Sequence, residues 1–235
     1  MFCAECVMAE DNSTRERLLK EARTVFAELG LKNATIRDIC TRAEANVAAV
    51  SYHFGGKERL YIAVLRDYIE RENRRHPRDQ GVTPESPPQE RLRVYVRSIL
   101  LQTLDGGDAA DERLSRQLTQ EFIEPSQHFG EIFEQFCRPA HRLLLDIVGK
   151  LLPEADDLTV SRCASSIFGQ CVLFDFAKEA LSRMSPESAL KPSNVEQITE
   201  FIMQFSLGGI SRLRAAQAQL RPPVTPSPMR SEGDT

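Results

Sequence analysis

The sequence predicts an all-α protein, and two observations support this prediction. Nearly every strong apolar pattern in the 235-residue chain has the period of a helix, and no run alternates apolar and polar residues between turn signals. The apolar share of 41% is enough for an ordinary core. No stretch approaches the roughly 18 consecutive apolar residues that a membrane span requires, and the N-terminus lacks signal-peptide features, so we expect a cytoplasmic protein.

The first predicted helices occupy residues 12–72. The first helix has a continuous apolar face and ends at Gly30, because glycine readily adopts the left-handed conformation of a C-terminal cap. Thr35 is the expected N-cap of the second helix, and Asp38 stands where the acidic half of a capping box would be. The spacing therefore predicts a helix, a short break and a second helix near the N-terminus.

The third predicted helix is barely two turns long and is ended by the pair Gly55–Gly56. Its apolar residues Val47, Val50 and Phe54 are expected to face inward. Small side chains on the remaining surface would let the backbone approach a flat, wide partner such as the major groove of DNA. Lys57 opens a fourth helix, where free N–H groups and the helix dipole favour an anion such as a phosphate.

Charge is divided unequally along the chain. The formal net charge is −4, yet residues 14–60 contain nine Lys or Arg against six Asp or Glu, which gives +3 and leaves −7 for the remainder. A basic end on an acidic body is the asymmetry expected of a DNA-reading head on a body that does not bind DNA.

Three motifs between residues 14 and 68 resemble the N-terminal domain of TetR-family transcriptional regulators. They read "FAELG", "TIRDIC" and "SYHFGGKERL", where the family typically shows "F-x-x-x-G", "T-x-x-x-I-A" and an aromatic-Phe pair before a Lys-Glu-x-Leu helix start. The resemblance implies that residues 35–54 form a helix-turn-helix unit. It also implies a ligand-responsive regulator that binds double-stranded DNA.

The resemblance assigns roles to individual residues of this unit. Thr35, His53 and Lys57 would hold phosphates. The residues expected nearest the bases are Arg37, Asn46, Ala48, Ala49 and Tyr52. Ser51 stands where the family most often has a tyrosine that contacts the DNA backbone, so its contact would be shorter, water-mediated or missing.

The chain beyond the head is divided by composition. Residues 73–90 lose the helical period, are rich in proline, and are predicted to form an exposed linker. Residues 91–220 are predicted to form a body of further helices, of which the two longest cover about 158–184 and 193–220. Residues 221–235 are predicted to be a disordered tail, because their composition cannot support a packed core.

The last two predicted helices are apolar on more than one face, so they require a second helix layer, either within the chain or from another copy. TetR-like proteins form homodimers through such helices, and the resemblance therefore favours a homodimer. The segments "LTQEFIEPS", "FCRPAHRLL" and "IFGQCVLFDFA" are in addition similar to the CecR-like subgroup, whose bodies respond to drugs or other small molecules.

Seven of the twelve phenylalanines fall in helices that would surround a cavity in the body. Packing alone could explain such aromatic stripes, but the resemblance favours a pocket for a small-molecule effector. The expected contacts are Phe122, Phe133, Gln170 and Phe174. No cofactor is expected. A metal site is weakly indicated at best, because Glu124 and His128 share a helical spacing that Pro125 interrupts.

Two other classes of protein remain open at this point. One is a helical enzyme that uses His128, His141 and nearby carboxylates, and the other is a ligand-binding protein that no longer reads DNA. No nucleophile with a base at usable spacing and no phosphate-binding glycine loop is present. The sequence therefore favours a non-enzymatic repressor that a small molecule releases from a palindromic operator.

Overall fold

The prediction of an all-α protein is confirmed. A computed structural model describes residues 4–220, and their side chains from residue 12 to 219; it contains eleven α-helices and one π-helix, with no strand in that range. None of these helices is long and apolar enough to cross a membrane. The predicted tail at 221–235 lies outside the described residues.

Four helices form the N-terminal head. They are α1 (Ala4–Asn33), α2 (Ile36–Arg42), α3 (Val47–Phe54) and α4 (Lys57–Arg75). The predicted end of α1 at Gly30 is a break, because this glycine has the non-helical angles φ 70° and ψ 171° and one further helical turn follows it. The turn after the break brings the chain to the start of α2.

Side-chain caps fix where α2 and α3 begin. The Thr35 hydroxyl accepts from the Asp38 N–H at 3.1 Å, and the Asp38 carboxylate accepts from the Thr35 N–H at 3.3 Å, so the predicted capping box is confirmed. At α3 the Asn46 side chain accepts from the Ala48 N–H at 2.8 Å. The helix-turn-helix geometry is therefore determined by residues close in sequence.

The remaining helices form the body. They are α5 (Pro88–Leu104), α6 (Ala109–Ile123), α7 (Phe129–Ile132), the π-helix Phe133–Cys137, α8 (Arg138–Leu151), α9 (Asp157–Phe176), α10 (Lys178–Met184) and α11 (Val195–Leu220). The long helix predicted for 158–184 is divided at Ala177 into α9 and α10. A central core forms where α5, α8, α9 and α11 pack together.

The head and the body share part of one core. Leu114 of α6 and Ile132 of α7 are fully buried among the head residues Phe26 and Leu65. In addition, the Gln117 amide of α6 donates to the Phe26 carbonyl of α1 at 2.7 Å. The head is therefore continuous with α6 rather than hinged on a free segment.

The segment between α4 and α5 is tied to the body. α4 extends to Arg75, three residues into the predicted linker, and the turns that follow are held by hydrogen bonds. Gln102 of α5 donates to the His76 carbonyl at 3.1 Å, and Lys150 of α8 donates to the Pro84 carbonyl at 3.0 Å. Composition predicted the exposure of this segment but not these long-range attachments.

Candidate nucleic-acid interface and effector cavity

The outer surface of α3 is formed by small or uncharged side chains. Val47, Ala48, Ser51 and Tyr52 are exposed, and we call these four residues the groove face. Tyr52 is 77% exposed, whereas Val50 is fully buried. A short helix with such a face can place its backbone close to the floor of a wide groove.

Two orientations on α3 differ from the prediction. Val47 was expected to face inward but is 47% exposed, whereas Ala49, expected to face a groove, packs against the head core. At about 100° per residue Val47 lies on the same side of α3 as Val50 and Phe54, but it is the first residue of the helix and is left exposed at that end, whereas Ala49 packs against the core from a flank of the helix. Val47 is thus a groove-face residue that the apolar pattern concealed.

The two N-cap residues have local partners. The Thr35 hydroxyl donates to the Asp38 carboxylate at 2.6 Å, and the Asn46 carbonyl oxygen is occupied by the cap of α3. Both residues are nevertheless exposed at helix N-termini, as is Arg37 in the first turn of α2.

Lys57 lies at the start of α4, as predicted, but its ammonium points into the protein. It donates to the carbonyls of Leu31 and Ala34 at 2.9 and 3.1 Å, at the end of α1. The expected phosphate contact of this side chain is therefore corrected, because carbonyls left unpaired at a helix end have recruited the charge. Only the backbone N–H of Lys57 remains oriented as the first donor of α4.

His53 is partly buried between two rings. Its imidazole lies 4.9 Å from the Tyr52 ring and 6.3 Å from the Phe54 ring, both in edge-to-face geometry. On the other side of Phe54, the Arg15 guanidinium lies 5.3 Å from the ring centroid. Arg15 is an exposed cation beside α3 that the motif comparison did not select, although its position in the basic segment could have indicated it.

A partly open cavity of about 420 Å³ lies in the body, next to the head. Helices α4, α5, α6, α8 and α9 and the π-helix all contribute to its wall. Its aromatic lining residues are Tyr68, Tyr95, Phe122, Phe133, Phe136, Phe168 and Phe176. A second, more open hollow shares Arg78 and Phe136 with it and lies between α4 and the π-helix.

Two of the four predicted effector contacts line this cavity and two do not. Phe122 and Phe133 belong to its wall. Gln170 instead donates to the Ser206 hydroxyl of α11 at 3.2 Å, and Phe174 packs against the core of the body. The α9 residues that line the cavity follow another stripe, and they are Ser165, Phe168, Val172, Asp175 and Phe176. The expected contacts of Gln170 and Phe174 are thus corrected, because sequence alone did not fix the rotation of α9.

The polar groups of the cavity are concentrated where α4 ends. Glu72 is only 4% exposed, and burial raises the pKa of its carboxyl although Arg75, 2.7 Å away, opposes the shift. Burial also raises the pKa of Tyr68 to about 12. On the α9 side, the Asp175 carboxylate accepts from the Thr119 hydroxyl at 3.2 Å.

A charged cluster joins the head to the body beside this cavity. We call Arg23 of α1, Arg71 and Arg75 of α4 and Asp111 of α6 the junction cluster. The buried Asp111 accepts from Arg23 at 3.1 Å and from Arg71 at 2.6 Å, and Arg75 approaches it to 3.9 Å. Burial alone would lower the pKa of Arg71, but hydrogen bonds with Asp111 and Asp67 raise it. Arg71 is therefore charged at neutral pH.

Helices α9 and α11 carry a large apolar surface on their outer sides. Phe201 is 67% exposed and its ring is stacked near that of Phe205, 6.4 Å away. Apart from Phe168 and Phe176, which line the cavity, the exposed large apolar residues of the two helices are Leu158, Leu173, Phe201, Phe205 and Leu213. Ile210 of α11 is only 5% exposed and belongs to the chain's own core.

A capped helix-turn-helix head with an open third helix, joined to a helical body with an aromatic cavity, defines a DNA-binding regulator. Residues 18–64 match the profile of the bacterial regulatory proteins of the tetR family. Residues 88–210, more than half of the chain, match the C-terminal domain of the HTH-type transcriptional dual regulator CecR. The chain therefore belongs to the TetR family, with a body of the CecR type, and it is a DNA-binding transcriptional regulator.

Individual relatives agree with this assignment. The chain is 27% identical over 212 residues to the HTH-type transcriptional dual regulator CecR of Shigella flexneri, covering 84% of this chain and 93% of that protein. It is 35% identical over 137 residues to the HTH-type transcriptional regulator SrpR of Pseudomonas putida, covering 58% of each chain. Both relatives are transcriptional regulators.

Solved structures show the same fold at lower identity. HlyIIR, a hemolysin II transcriptional regulator, superposes with a TM-score of 0.53 at 21% identity, covering 81% of this chain and 97% of that chain. AibR in complex with isovaleryl coenzyme A and operator DNA gives 0.55 at 16% identity, with coverages of 82% and 97%.

Proposed function

We propose that the protein is a homodimeric repressor that a small molecule, bound in the cavity of the body, releases from a palindromic DNA operator. The observation that carries this proposal is the double role of α4 and α6. Both helices supply core residues to the head, namely Leu65 and Leu114, and both line the cavity, through Tyr68 and Leu118. A ligand that moves either helix therefore moves the head without an intervening linker.

We assign base contacts to the groove face and phosphate contacts to the residues around it. Ala48 and Tyr52 are exposed on the side of α3 opposite its buried anchors, and Val47 is exposed at the first position of the helix. Thr35, Arg37 and His53 flank that surface, and Arg15 adds a cation beside it. For Lys57 the proposed contact is through its backbone N–H, because its ammonium is bound by carbonyls of the head.

A second copy of the chain is the proposed partner for the apolar surface of α9 and α11. A monomer rarely exposes stacked phenylalanines such as Phe201 and Phe205 without a partner. Pairing related by a two-fold axis would place two α3 helices about one turn of DNA apart, roughly 34 to 36 Å. The double substitution Phe201→Asp and Phe205→Asp should give a folded monomer in sedimentation; a retained dimer would contradict this interface.

Selection of genomic DNA fragments by the purified protein would identify the operator, and anisotropy on labelled operator would then test the groove face. Tyr52→Ala should weaken operator binding at least about tenfold, which corresponds to about 1.4 kcal/mol, because an exposed aromatic at the groove face is lost. Leu29→Ala, at an exposed position of α1, is the control and should bind the operator normally. Equal affinity of Tyr52→Ala and the unmodified protein would remove the groove face from the interface.

Control by an effector is tested separately with a variant that fills the cavity. Val172→Trp places a large ring among the aromatic lining. The variant should retain operator binding, but a small molecule that releases the unmodified protein from the operator should no longer release the variant, because the added ring occupies its site. Ligand and operator affinities are linked reciprocally, so a ligand that cannot bind cannot lower the operator affinity. Full induction of Val172→Trp would place the effector elsewhere. We propose no catalytic role for the chain, and we place it in the cytoplasm with the DNA that it binds.

A further inference from the structure

Two buried polar atoms in the cavity wall have unused hydrogen-bonding capacity. The first is Oε2 of Glu72, in the last turns of α4. The other oxygen of this carboxylate accepts from Arg75 at 2.7 Å, but Oε2 has no partner among the described residues. A buried carboxylate oxygen without a hydrogen-bond donor is unfavourable, so a molecule that supplies a donor here gains binding free energy.

The second atom is Nη1 of Arg78, in the turn that follows α4. Its guanidinium lies 5.5 Å from the centroid of the Tyr95 ring, and Nη2 donates to the Gln102 side chain at 3.2 Å. Nη1 is buried and unpaired within the described part of the chain. The side-chain oxygen of Gln102 accepts from Nη2, and its NH₂ group, which donates to the Asn73 side chain at 3.2 Å and to the His76 carbonyl at 3.1 Å, is itself a donor and cannot pair with Nη1.

The two atoms belong to residues that line the same cavity, and they have opposite requirements. Glu72 and Arg78 are six residues apart, across the end of α4, and both line the cavity. The carboxylate oxygen requires a hydrogen-bond donor, and the guanidinium nitrogen requires an acceptor. The rest of the wall is dominated by the seven aromatic side chains already named.

We infer that Glu72 and Arg78 form the polar anchor of the effector, and that the effector has an aromatic body bearing a neutral group with adjacent donor and acceptor atoms. A carboxamide has this arrangement. This inference rests on the proposed function, since it specifies the ligand of the same cavity. It assigns Glu72 the ligand N–H or O–H, and Arg78 the ligand carbonyl.

Charge in the cavity excludes the simpler alternatives. An anionic ligand could pair with Arg78 but would face the carboxylates of Glu72 and Asp175. A cationic ligand could pair with Glu72 but would leave Arg78 unpaired and add a like charge beside it. A neutral group that both donates and accepts satisfies both atoms without adding charge to a buried site.

Four probes with one naphthalene skeleton test this anchor: 1-naphthaleneacetamide, 1-naphthaleneacetate, 2-(1-naphthyl)ethylamine and 1-ethylnaphthalene. The chain contains no tryptophan, so naphthalene fluorescence reports binding to the full-length protein directly. The amide should bind at least about tenfold more tightly than the acetate or the amine. Charged probes that bind as tightly as the amide would overturn the inference, and so would failure of the amide to bind.

Substitutions then assign the contacts. In Glu72→Gln the new side-chain oxygen must face Arg75, so an NH₂ group replaces Oε2 and presents a donor to the ligand N–H. Glu72→Gln and Arg78→Met should each weaken amide binding about tenfold and leave 1-ethylnaphthalene within about twofold, because the hydrocarbon uses only the aromatic wall. The exposed pair on α6 provides the controls Glu112→Gln and Arg116→Met, which should change neither probe.

The ratio between the two probes separates an anchor from a structural role. Equal losses for the amide and the hydrocarbon would show that the substitution merely disturbs the cavity and would overturn the assignment. No loss for either probe would do the same. The proposed function has an independent test in Val172→Trp with operator DNA, so a failed anchor leaves effector control by this cavity standing, whereas full induction of Val172→Trp would place the effector outside the cavity.

Discussion

The groove face and the junction cluster are two polar regions of one molecule with opposite construction. On the groove face, Ser51 and Tyr52 are exposed, and the structure of α3 depends on backbone caps and on the buried Val50 and Phe54. In the junction cluster the carboxylate of Asp111 is itself buried, and it is surrounded by three partly exposed arginines from two other helices.

This difference predicts which substitutions affect function and which affect stability. Exposed side chains that support nothing can be exchanged with stability changes within about ±0.5 kcal/mol, so the groove face is free to be specific for a DNA sequence. A buried charge cannot be removed without leaving its partners unpaired. Substitutions in the junction cluster should therefore lower the stability of the fold, and they should weaken DNA binding only as a consequence of that loss.

The largest effect is expected for Asp111→Asn. An amide keeps the shape but cannot accept charged hydrogen bonds from both Arg23 and Arg71. Removing one partner of a buried ion pair costs about 3 to 5 kcal/mol, and because both arginines are about one-fifth exposed we expect about 2 to 4 kcal/mol. Urea unfolding measures the loss. Unchanged stability would mean that the cluster is solvated like a surface ion pair. The groove face and the junction cluster would then not differ in their contribution to stability.

A smaller effect is expected for Gly107→Ala, in the turn before α6. Gly107 has φ +72°, and a Cβ there would lie 2.5 Å from Oδ2 of Asp111 and 2.9 Å from Arg75. Gly81→Ala is the matched control, since Gly81 has φ +77° but no atom within 4 Å of its added Cβ. The left-handed backbone costs each variant about 1 kcal/mol, and Gly107→Ala should lose about 1 to 2 kcal/mol more in thermal unfolding. Equal losses would show that the cluster accommodates the methyl group.

Local sequence predicted most of the head because its determinants are neighbours in the chain. Thr35 and Asp38 form their capping box within one helical turn, and Gly55 ends α3 one residue after Phe54. The errors in the head arose where a distant segment intervened. Lys57 is an example, since its partners Leu31 and Ala34 are 26 and 23 residues away.

The effector cavity could be predicted only in part from the sequence, because six helices contribute to its wall. Phe122 and Phe133 were found from aromatic spacing, which does reveal that a residue faces a core or cavity. The rotation of α9, which excludes Gln170 and Phe174, depends on how α9 packs against α5, α8 and α11. Glu72 and Arg78 were not recognised, because in sequence they belong to the end of a helix and a charged, proline-containing turn.

Lys57→Met should have a small to intermediate effect on stability. It should not weaken a phosphate contact, although the position of Lys57 at the start of α4 suggests one. Losing two hydrogen bonds from an ammonium to the end of α1 should cost about 1 to 2 kcal/mol in urea unfolding. The salt dependence of operator binding should stay the same, because the side chain meets no phosphate. Arg37→Met, on exposed α2, is the comparison: it should preserve stability but lower the slope of log K against log salt by about one. A reduced slope for Lys57→Met would restore the side chain to the DNA interface.

The smallest effect is expected from Asp108, at the exposed edge of the junction cluster. The Arg23 hydrogen bond and the caps of α6 lower the pKa of Asp108 to about 2. A carboxyl whose pKa is depressed in the folded state stabilises the protein above its unfolded pKa of about 3.9, and loses this contribution as pH falls toward 2. Because the side chain is largely exposed, solvent screening should limit the contribution to less than about 1 kcal/mol.

Asp108→Asn keeps a capping oxygen but removes the charge. The stability difference between the unmodified protein and this variant should therefore be constant above about pH 5 and shrink between about pH 4 and pH 2. A difference that does not change with pH would show that Asp108 acts only as a cap of α6, and that its ion pair with Arg23 does not contribute to stability.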